Sequence, residues 1–142
     1  MNVGDTVELR PQFTKTCLVK GSAITPQDGQ KCTVKYKGTL DDGTVFDASE
    51  SFSFYLNEGY VIKGWDIGVA TMGVGERSVL HVPHLFGYGD ASVGSIPPKA
   101  ALTFEIELLD VRDGTFDKVK WQLLSALVFM AFIVYYAVNL KF

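Results

Sequence analysis

Alternation of apolar and polar residues along most of the chain predicts β-strands. The clearest strand is predicted at 101–111, where Leu102, Phe104 and Ile106 alternate with polar residues. Residues 32–40 alternate in the same way, and the Asp-Asp-Gly sequence that follows them is a strong hairpin signal. Shorter runs of the same kind predict further strands at 7–9, 17–19, 44–46, 52–56 and 78–82, with polar loops at 21–29 and 47–51.

A short stretch with several glycines, at 59–68, predicts the one helix among these strands. Gly64 and Gly68 each cost roughly 1 kcal/mol relative to alanine inside a helix. A sequence retains such glycines where two backbones pass close together or where a cavity needs a floor. Trp65 would form that floor, with Val61 and Ile62 as a wall, although simple packing is the commoner role of a buried tryptophan. Strands and helix together predict an α+β fold.

Composition and charge narrow the possible functions. The chain has 142 residues, enough for one ordinary domain with its own core. The net charge is −3 and no basic stripe occurs, which argues against nucleic-acid binding by phosphate neutralisation. Cys17 and Cys32 form no C-x-x-C pair and have no His/Cys cluster around them, so neither a metal site nor a cofactor is predicted. Two separate thiols fit a reducing compartment, with a single disulfide as the alternative.

Several short motifs lie in one order between Thr16 and Arg112. They are VKYKGTL (34–40), FDAS (46–49), VIKGW (61–65), GVATM (68–72), VGER (74–77), GYG (87–89), IPP (96–98) and TFEIELLDV (103–111). Together they resemble the FKBP family, the macrolide-binding immunophilins, which are peptidyl-prolyl isomerases. The resemblance implies an α+β domain at 1–112, with a curved antiparallel sheet of five to six strands wrapped around a short helix. It also implies X–Pro segments of client proteins as substrates, and macrolides such as tacrolimus or rapamycin as ligands.

The resemblance further implies an active site between the helix and the sheet. Carried over position by position, its catalytic residues would be Tyr36, Phe46, Asp47, Trp65, Tyr88 and Phe104. Its substrate- and macrolide-binding residues would be Phe52, Val61, Ile62 and Ile96. Core packing is the alternative role for the apolar members. Asp47 could instead cap backbone N–H groups at the start of a loop, and Tyr88 could be a surface tyrosine in a mobile loop.

An aromatic pocket suits prolyl isomerisation without any nucleophile. Rotation about an X–Pro bond has a barrier of roughly 18–20 kcal/mol because resonance keeps the amide planar. Twisting breaks the resonance and makes the amide less polar, so a dry pocket should bind the twisted form relatively better than water does. The sequence accordingly has no recognisable Ser-His-Asp or Cys-His arrangement, phosphate loop or paired catalytic carboxylates. His81 and His84 are interpreted as structural or solvated residues.

Two loops depart from the family pattern. The loop after Asp47 is shorter than usual, and the basic residue that often pairs with this Asp is absent, with Glu50 nearby instead. The loop before Tyr88 is longer. Both changes could lower activity or macrolide affinity while the fold is kept.

The last part of the chain has a different character. Residues 121–140 carry no charged side chain and are mostly apolar. As a helix they would measure about 30 Å, the thickness of a bilayer core, so a transmembrane helix is predicted, with a buried core helix as the alternative. A short charged connector, 113–120, would hold the domain close to the membrane. Because no N-terminal signal peptide is recognisable, the sequence predicts a tail-anchored protein. Its domain would lie in the cytosol, at the endoplasmic reticulum or the mitochondrial outer membrane.

The leading hypothesis is therefore a membrane-anchored peptidyl-prolyl isomerase that assists folding or regulation of membrane-proximal clients. The alternative is a non-catalytic binding module of the same fold, or a structural subunit of a membrane protein complex. The complete set of pocket residues favours the enzyme. The shortened loop and the short connector favour a dedicated partner.

Overall fold

The computed structural model of the protein describes residues 1–114 of the chain. Within them, six strands form one antiparallel sheet with the order β1-β2-β5-β6-β3-β4. The sheet is curved and carries one short α-helix, as the α+β prediction required. The elements are β1 (Thr6–Arg10), β2 (Phe13–Val19), β3 (Lys31–Leu40), β4 (Val45–Tyr55), α1 (Lys63–Val69), β5 (Arg77–Val82) and β6 (Leu102–Arg112), with a 3₁₀ turn (His84–Phe86) between β5 and β6.

Strands β3 and β6 form the centre of the core, and their sequence pattern explains why. Alternate residues of a strand point to opposite faces of the sheet. Val34 and Tyr36 in β3 are buried, and so are Phe104 and Ile106 in β6, while the residues between them are exposed or half-buried. The two strands pair directly, with Tyr36 opposite Ile106. The period of two predicted both strands, and the structure confirms them.

Helix α1 lies against β5 at a distance that only glycine allows. A Cβ atom on Gly64 would come within 2.6 Å of Val82 Cγ1, and one on Gly68 within 2.5 Å of Leu80 Cδ1. Both distances are far below an ordinary carbon–carbon contact. The two glycines therefore allow the close approach that their positions in the sequence suggested, and this approach places Trp65 over the sheet.

Strand β4 differs from the prediction. The residues expected to form a polar loop, 47–51, belong to one continuous strand that pairs with β3, with Asp47 opposite Gly38 and Ser49 opposite Tyr36. The ladder contains two register shifts in this stretch. The sequence of this stretch is polar because β4 is an edge strand of the sheet. Much of it faces solvent and needs no apolar side chains, so it resembles a loop.

A buried ion pair, unforeseen from the sequence, joins β2 to the turn before β5. Lys15 is 2% exposed, and its Nζ lies 2.8 Å from Glu76 Oε2. Ser78 also donates to Glu76 Oε2, at 2.7 Å. Burial alone would raise the pKa of Glu76, but the hydrogen bonds from Lys15 and Ser78 hold it below its ordinary value. The carboxylate thus stays ionised and keeps the turn in place.

The predicted transmembrane helix, 121–140, lies outside the described residues, as does most of the connector 113–120. Among residues 1–114 there is no helix with the length and apolar character needed to cross a bilayer. The domain boundary at 112 agrees with the end of β6 but stays a prediction.

Candidate active site

Trp65 lies at the centre of a cluster of aromatic rings contributed by four elements. The side chain is 3% exposed. Its ring centroid lies 4.8 Å from that of Tyr36 in β3 and 5.4 Å from that of Phe104 in β6, both edge-on. Phe52 and Phe54 of β4 complete the cluster at 5.8 Å and 5.6 Å. Phe54 was not among the predicted site residues, and its place two residues after Phe52 in one strand was the available signal.

A second aromatic pair continues the cluster toward the surface. Phe46, which is half-buried, meets Phe104 edge-on with centroids 5.5 Å apart. Gly38 of β3 makes this contact possible, because a Cβ atom there would lie 2.5 Å from Phe46 Cζ and 2.9 Å from Phe104 Cε1. Gly38 therefore supports the site by leaving room for these two rings. The sequence pattern of its strand did not predict this role.

Asp47 is an acidic residue that a hydrogen bond holds against the aromatic cluster. The hydroxyl of Tyr36 donates to Asp47 Oδ2 at 2.5 Å, and the backbone N–H of Ala48 donates to Oδ1 at 2.9 Å. The carboxyl group is half-buried. It is thus held at the edge of an apolar region, where its charge is less screened than in water.

Tyr88 completes the polar side of the site. It is half-buried and packs against the core, which excludes the alternative of a surface residue. Burial raises the pKa of its hydroxyl above the ordinary value, and the negative charge of Asp47 raises it further. The hydroxyl is therefore protonated at every physiological pH and available as a hydrogen-bond donor.

The three predicted aliphatic members are buried in the same core cluster as Trp65. Val61 and Ile62 lie directly before α1, and Ile96 lies in the loop after β5, where it forms a bridge with Val93. All ten predicted site residues therefore belong to one region: seven are buried in the cluster, Phe46 and Tyr88 pack against it, and Asp47 is hydrogen-bonded to it. Their roles in catalysis and binding stay predictions.

The departures from the family pattern have simple structural counterparts. Glu50, which lies near the position where the family often has a basic residue, forms an ion pair with Lys35 at 3.1 Å on the exposed face of the sheet. The hydrogen bonds of Asp47 include those from Tyr36 and Ala48, so a basic partner is not needed to hold it.

The chemistry of the site is apolar with few polar groups. The Nε1 atom of Trp65 is buried and has no hydrogen-bond partner within the described part of the chain. In residues 1–114 no group of three or more His, Cys, Asp or Glu side chains is placed to hold a metal ion. His81 is exposed and lies 3.1 Å from the hydroxyl of Thr103. The arrangement is thus suited to enclosing a ring or an amide by shape and polarity, not to attacking it.

The sequence profile described as FKBP-type peptidyl-prolyl cis-trans isomerase matches residues 22–109. The chain is 50% identical over 91 residues to the peptidyl-prolyl cis-trans isomerase Fkbp12 of Drosophila melanogaster, covering 61% of this chain and 84% of that protein. It is 48% identical over 99 residues to FK506-binding protein 1 of Dictyostelium discoideum, covering 66% and 92%. It is 44% identical over 117 residues to the peptidyl-prolyl cis-trans isomerase FPR2 of Saccharomyces cerevisiae, covering 78% and 87%.

A solved structure gives the same answer for the fold. The crystal structure of FkpA from Escherichia coli matches with a TM-score of 0.67 and 37% sequence identity, over 72% of this chain. The match covers 49% of FkpA, so this chain spans about half the length of that protein. Fold, aromatic site, family profile and close relatives agree: the chain belongs to the FKBP-type peptidyl-prolyl cis-trans isomerase family and is an enzyme of that class.

Proposed function

We propose that the enzyme binds the proline of an X–Pro segment against Trp65, between the aromatic side chains of Tyr36, Phe46 and Phe104. The observation that carries the proposal is the edge-on arrangement of Tyr36 and Phe104 around the buried indole, with Asp47 hydrogen-bonded at its border. Phe52, Val61, Ile62 and Ile96 enlarge the apolar surface available to the substrate.

Catalysis then follows from differential binding. The planar amide is the more polar form and is better solvated in water, whereas the twisted amide of the transition state has lost its resonance. An aromatic, water-poor site favours the twisted form and thereby lowers the barrier. The hydroxyl of Tyr88 donates a hydrogen bond to a carbonyl oxygen of the substrate and keeps its proton. The charge of Asp47 orients the amide dipole at the border of the site.

Macrolides would occupy the same site. Two of the relatives above are named as an FK506-binding protein and as an Fkbp12 isomerase. Such ligands need a concave apolar surface with a few placed polar groups, and the Trp65 cluster with Tyr88 and Asp47 supplies the apolar rings and the polar groups. Tacrolimus and rapamycin should therefore compete with X–Pro substrates.

An activity assay tests this part of the proposal. The full chain in a mild detergent should accelerate cis/trans exchange of an X–Pro peptide, with a preference for an apolar X, and tacrolimus should inhibit it. Trp65→Leu should keep the fold and weaken both turnover and inhibition. A folded protein with no acceleration above the uncatalysed rate would contradict the proposal, and so would a Trp65→Leu variant indistinguishable from wild type.

We further propose that residues 121–140 anchor the enzyme in a membrane, with the domain in the cytosol, where it serves clients near that membrane. The support is the length of this uncharged run, about 30 Å as a helix. Cys17 and Cys32, the two cysteines of the sequence, are both free and buried, as a reducing compartment favours. The endoplasmic reticulum and the mitochondrial outer membrane both fit.

Protease treatment of sealed organelles tests this orientation. A cytosolic domain should be digested while the membrane is intact, and a lumenal marker protein in the same sample should survive. Protection of the domain until detergent dissolves the membrane would contradict the cytosolic orientation. Recovery of the untreated chain in the soluble fraction would contradict the anchor itself.

A further inference from the structure

The backbone between β4 and α1 carries two of the predicted pocket residues. This stretch, residues 57–62, is called the wall segment here because Val61 and Ile62 lie at its end. It begins with two residues in the left-handed region, Asn57 at φ 58° and Gly59 at φ 78°. A left-handed conformation is uncommon for a residue other than glycine; asparagine adopts it more readily than most, and a fixed partner for its backbone stabilises it. The position of the wall therefore depends on what holds Asn57.

The carboxyl group of Asp66 holds it. Asp66 follows Trp65 in α1 and is 9% exposed. Its Oδ1 accepts a hydrogen bond from the backbone N–H of Asn57 at 2.9 Å. At the other end of the wall segment, the carbonyl of Ile62 accepts from the N–H of Trp65 at 3.0 Å. Both ends of the segment are thus fixed to the helix that carries Trp65.

We propose that Asp66 is a positioning residue of the isomerase, which sets the distance of Val61 and Ile62 from Trp65 by holding Asn57. The inference rests on the proposed active site and adds a residue to it that does not touch the substrate. Asp66 acts through the wall segment. Its neighbour Trp65 supplies the floor, so one turn of helix controls two sides of the pocket.

A cleft on the outer side of the wall segment explains why this bond matters. The cleft has a volume of about 230 Å³ and is lined by Asn57, Gly59, Val61, Lys63, Asp66 and Ile67. Val61 thus lines this cleft on one side of the wall segment, although its side chain is only 5% exposed and packs into the core. Protein interiors hold side chains in place by close packing, so a wall beside a cleft needs another constraint. The bond from Asn57 to Asp66 supplies one.

The surroundings of Asp66 make this constraint sensitive to pH. Burial raises the pKa of the carboxyl group to about 6, the N–H of Asn57 opposes the rise, and the charge of Asp28 adds to it. Asp28 also accepts a hydrogen bond from the side chain of Asn57. Lys63 lines the same cleft as Asp66, and Cys32 is close enough to feel its charge. Burial and, to a lesser extent, the charge of Asp66 raise the pKa of the Cys32 thiol to about 12, so it stays neutral.

The sign of the pH effect follows from the strength of the bond. An ionised carboxylate is a stronger acceptor than a protonated carboxyl group. As the pH falls through about 6, Asp66 takes up a proton, the bond to Asn57 weakens and the wall loosens. Turnover should therefore fall across that range for a reason that lies outside the substrate-binding surface.

Two substitutions at position 66 and one control test the proposal in the full chain. Asp66→Ala removes the acceptor and should lower kcat/KM roughly tenfold, since small displacements of positioning groups cost up to about 100-fold. Asp66→Asn keeps an acceptor oxygen without the charge. It should lose only about two- to threefold at pH 7.5, because a neutral acceptor costs less than none. The pH profile of kcat/KM for Asp66→Asn should also show no step between about pH 5 and 7. Ser78→Ala, which removes a bond to the remote Glu76, serves as the destabilised control and should keep wild-type kcat/KM.

Circular dichroism must show each variant to be folded at the assay temperature, and the pH profile of Asp66→Asn carries the test if Asp66→Ala does not fold. The proposal is overturned by an Asp66→Ala variant within about twofold of wild type, less than one lost hydrogen bond predicts. It is also overturned if Ser78→Ala loses as much activity, or if the step near pH 6 persists in Asp66→Asn. An inactive wild-type protein would instead overturn the proposed function.

Discussion

Two residues of the site, Trp65 and Asp47, differ in how much of their role is structural. Trp65 packs against four aromatic rings, whereas Asp47 lies at the border and is half-buried. The indole therefore contributes to both the core and the pocket. The Asp47 carboxylate accepts a hydrogen bond from the Tyr36 hydroxyl, and its negative charge acts on Tyr88. Stability and turnover should separate the two roles.

Trp65→Ala should lower the free energy of unfolding by roughly 3–5 kcal/mol, because it leaves a cavity among rigid rings. Asp47→Ala should lower it by only about 1–2 kcal/mol, because it removes the acceptor of the hydrogen bonds from the Tyr36 hydroxyl and the Ala48 N–H. It should reduce kcat/KM roughly tenfold, which corresponds to about 1.4 kcal/mol of transition-state stabilisation. Urea melts and turnover of the same preparations check both values. If Asp47→Ala proved the more destabilising change, its role would be structural.

Asp66 gives the stability of the domain an identifiable pH dependence. Its pKa is about 6 in the folded chain against 3.8 as the reference value. Between those values the folded state binds more protons than the unfolded chain, so this carboxyl group's contribution to stability falls as the pH rises. This stabilising contribution is complete below about pH 4 and is lost above about pH 6. The total change in the free energy of unfolding between these limits is at most about 3 kcal/mol.

Replacing Asp66 by asparagine should remove this dependence. Melts of Asp66→Asn should show a higher free energy of unfolding than wild type at pH 7.5 and equal stability near pH 4, because the asparagine keeps the acceptor without the charge. Glu76, whose pKa is lowered, has the opposite effect on stability, but it is present in both proteins. Subtracting one free energy of unfolding from the other therefore removes its effect. If the difference in unfolding free energy between wild type and Asp66→Asn did not change with pH, protonation of Asp66 would not be the source of the pH dependence.

At the scale of elements, the contact between α1 and β5 determines where Trp65 stands. Gly64 and Gly68 bring the helix axis close enough for the indole to reach the rings of β3 and β6. Alanine would improve helix propensity at either position by roughly 1 kcal/mol. The contact must outweigh that gain, which is why the glycines are retained.

Gly64→Ala should nevertheless destabilise the domain, by about 1–2 kcal/mol net, because the new methyl group meets the stiff Val82 side chain and the carbonyl of Phe86. Thermal melts should place the exposed control Lys63→Ala close to wild type. In a double-mutant cycle, Val82→Ala should cost less in the Gly64→Ala background than alone. Additive effects would mean that Val82 is not the group in the way.

The elements show where sequence reasoning succeeds and where it stops. The alternation in β3 and β6 is a local signal of which face is buried, so both strands and their inner residues were predictable. Strand β4 was divided by a false loop because solvent exposure at a sheet edge and in a loop select the same polar residues. Motif resemblance predicted ten site residues, but not the place of Phe54, the support from Gly38 or the bond from Asn57 to Asp66. Those depend on distances between segments that no local pattern records.

At the scale of the whole molecule, the remaining question is how the domain is attached. Phe129→Arg places a charge near the middle of the predicted span, which costs roughly 2.5–3.5 kcal/mol on insertion scales. A large fraction of the protein should move to the soluble fraction while isomerase activity is kept. Phe129→Leu, which keeps the apolar character, should remain with the membrane. Loss of activity in the soluble Phe129→Arg protein would mean that residues 121–140 belong to the folded domain.

The order of strands also has a consequence for how the domain folds. Within residues 1–114, β6 is the last strand along the sequence, yet it lies between β5 and β3 and joins β1-β2-β5 to β3-β4. Until residues 102–112 are available, the polypeptide can form only two half-sheets with exposed edges, and Trp65 has no Phe104 to meet. Loop closure over most of the domain must therefore precede the final docking, which makes folding slow and all-or-none. A nascent chain that lacks β6 should therefore have neither the complete sheet nor the complete aromatic cluster.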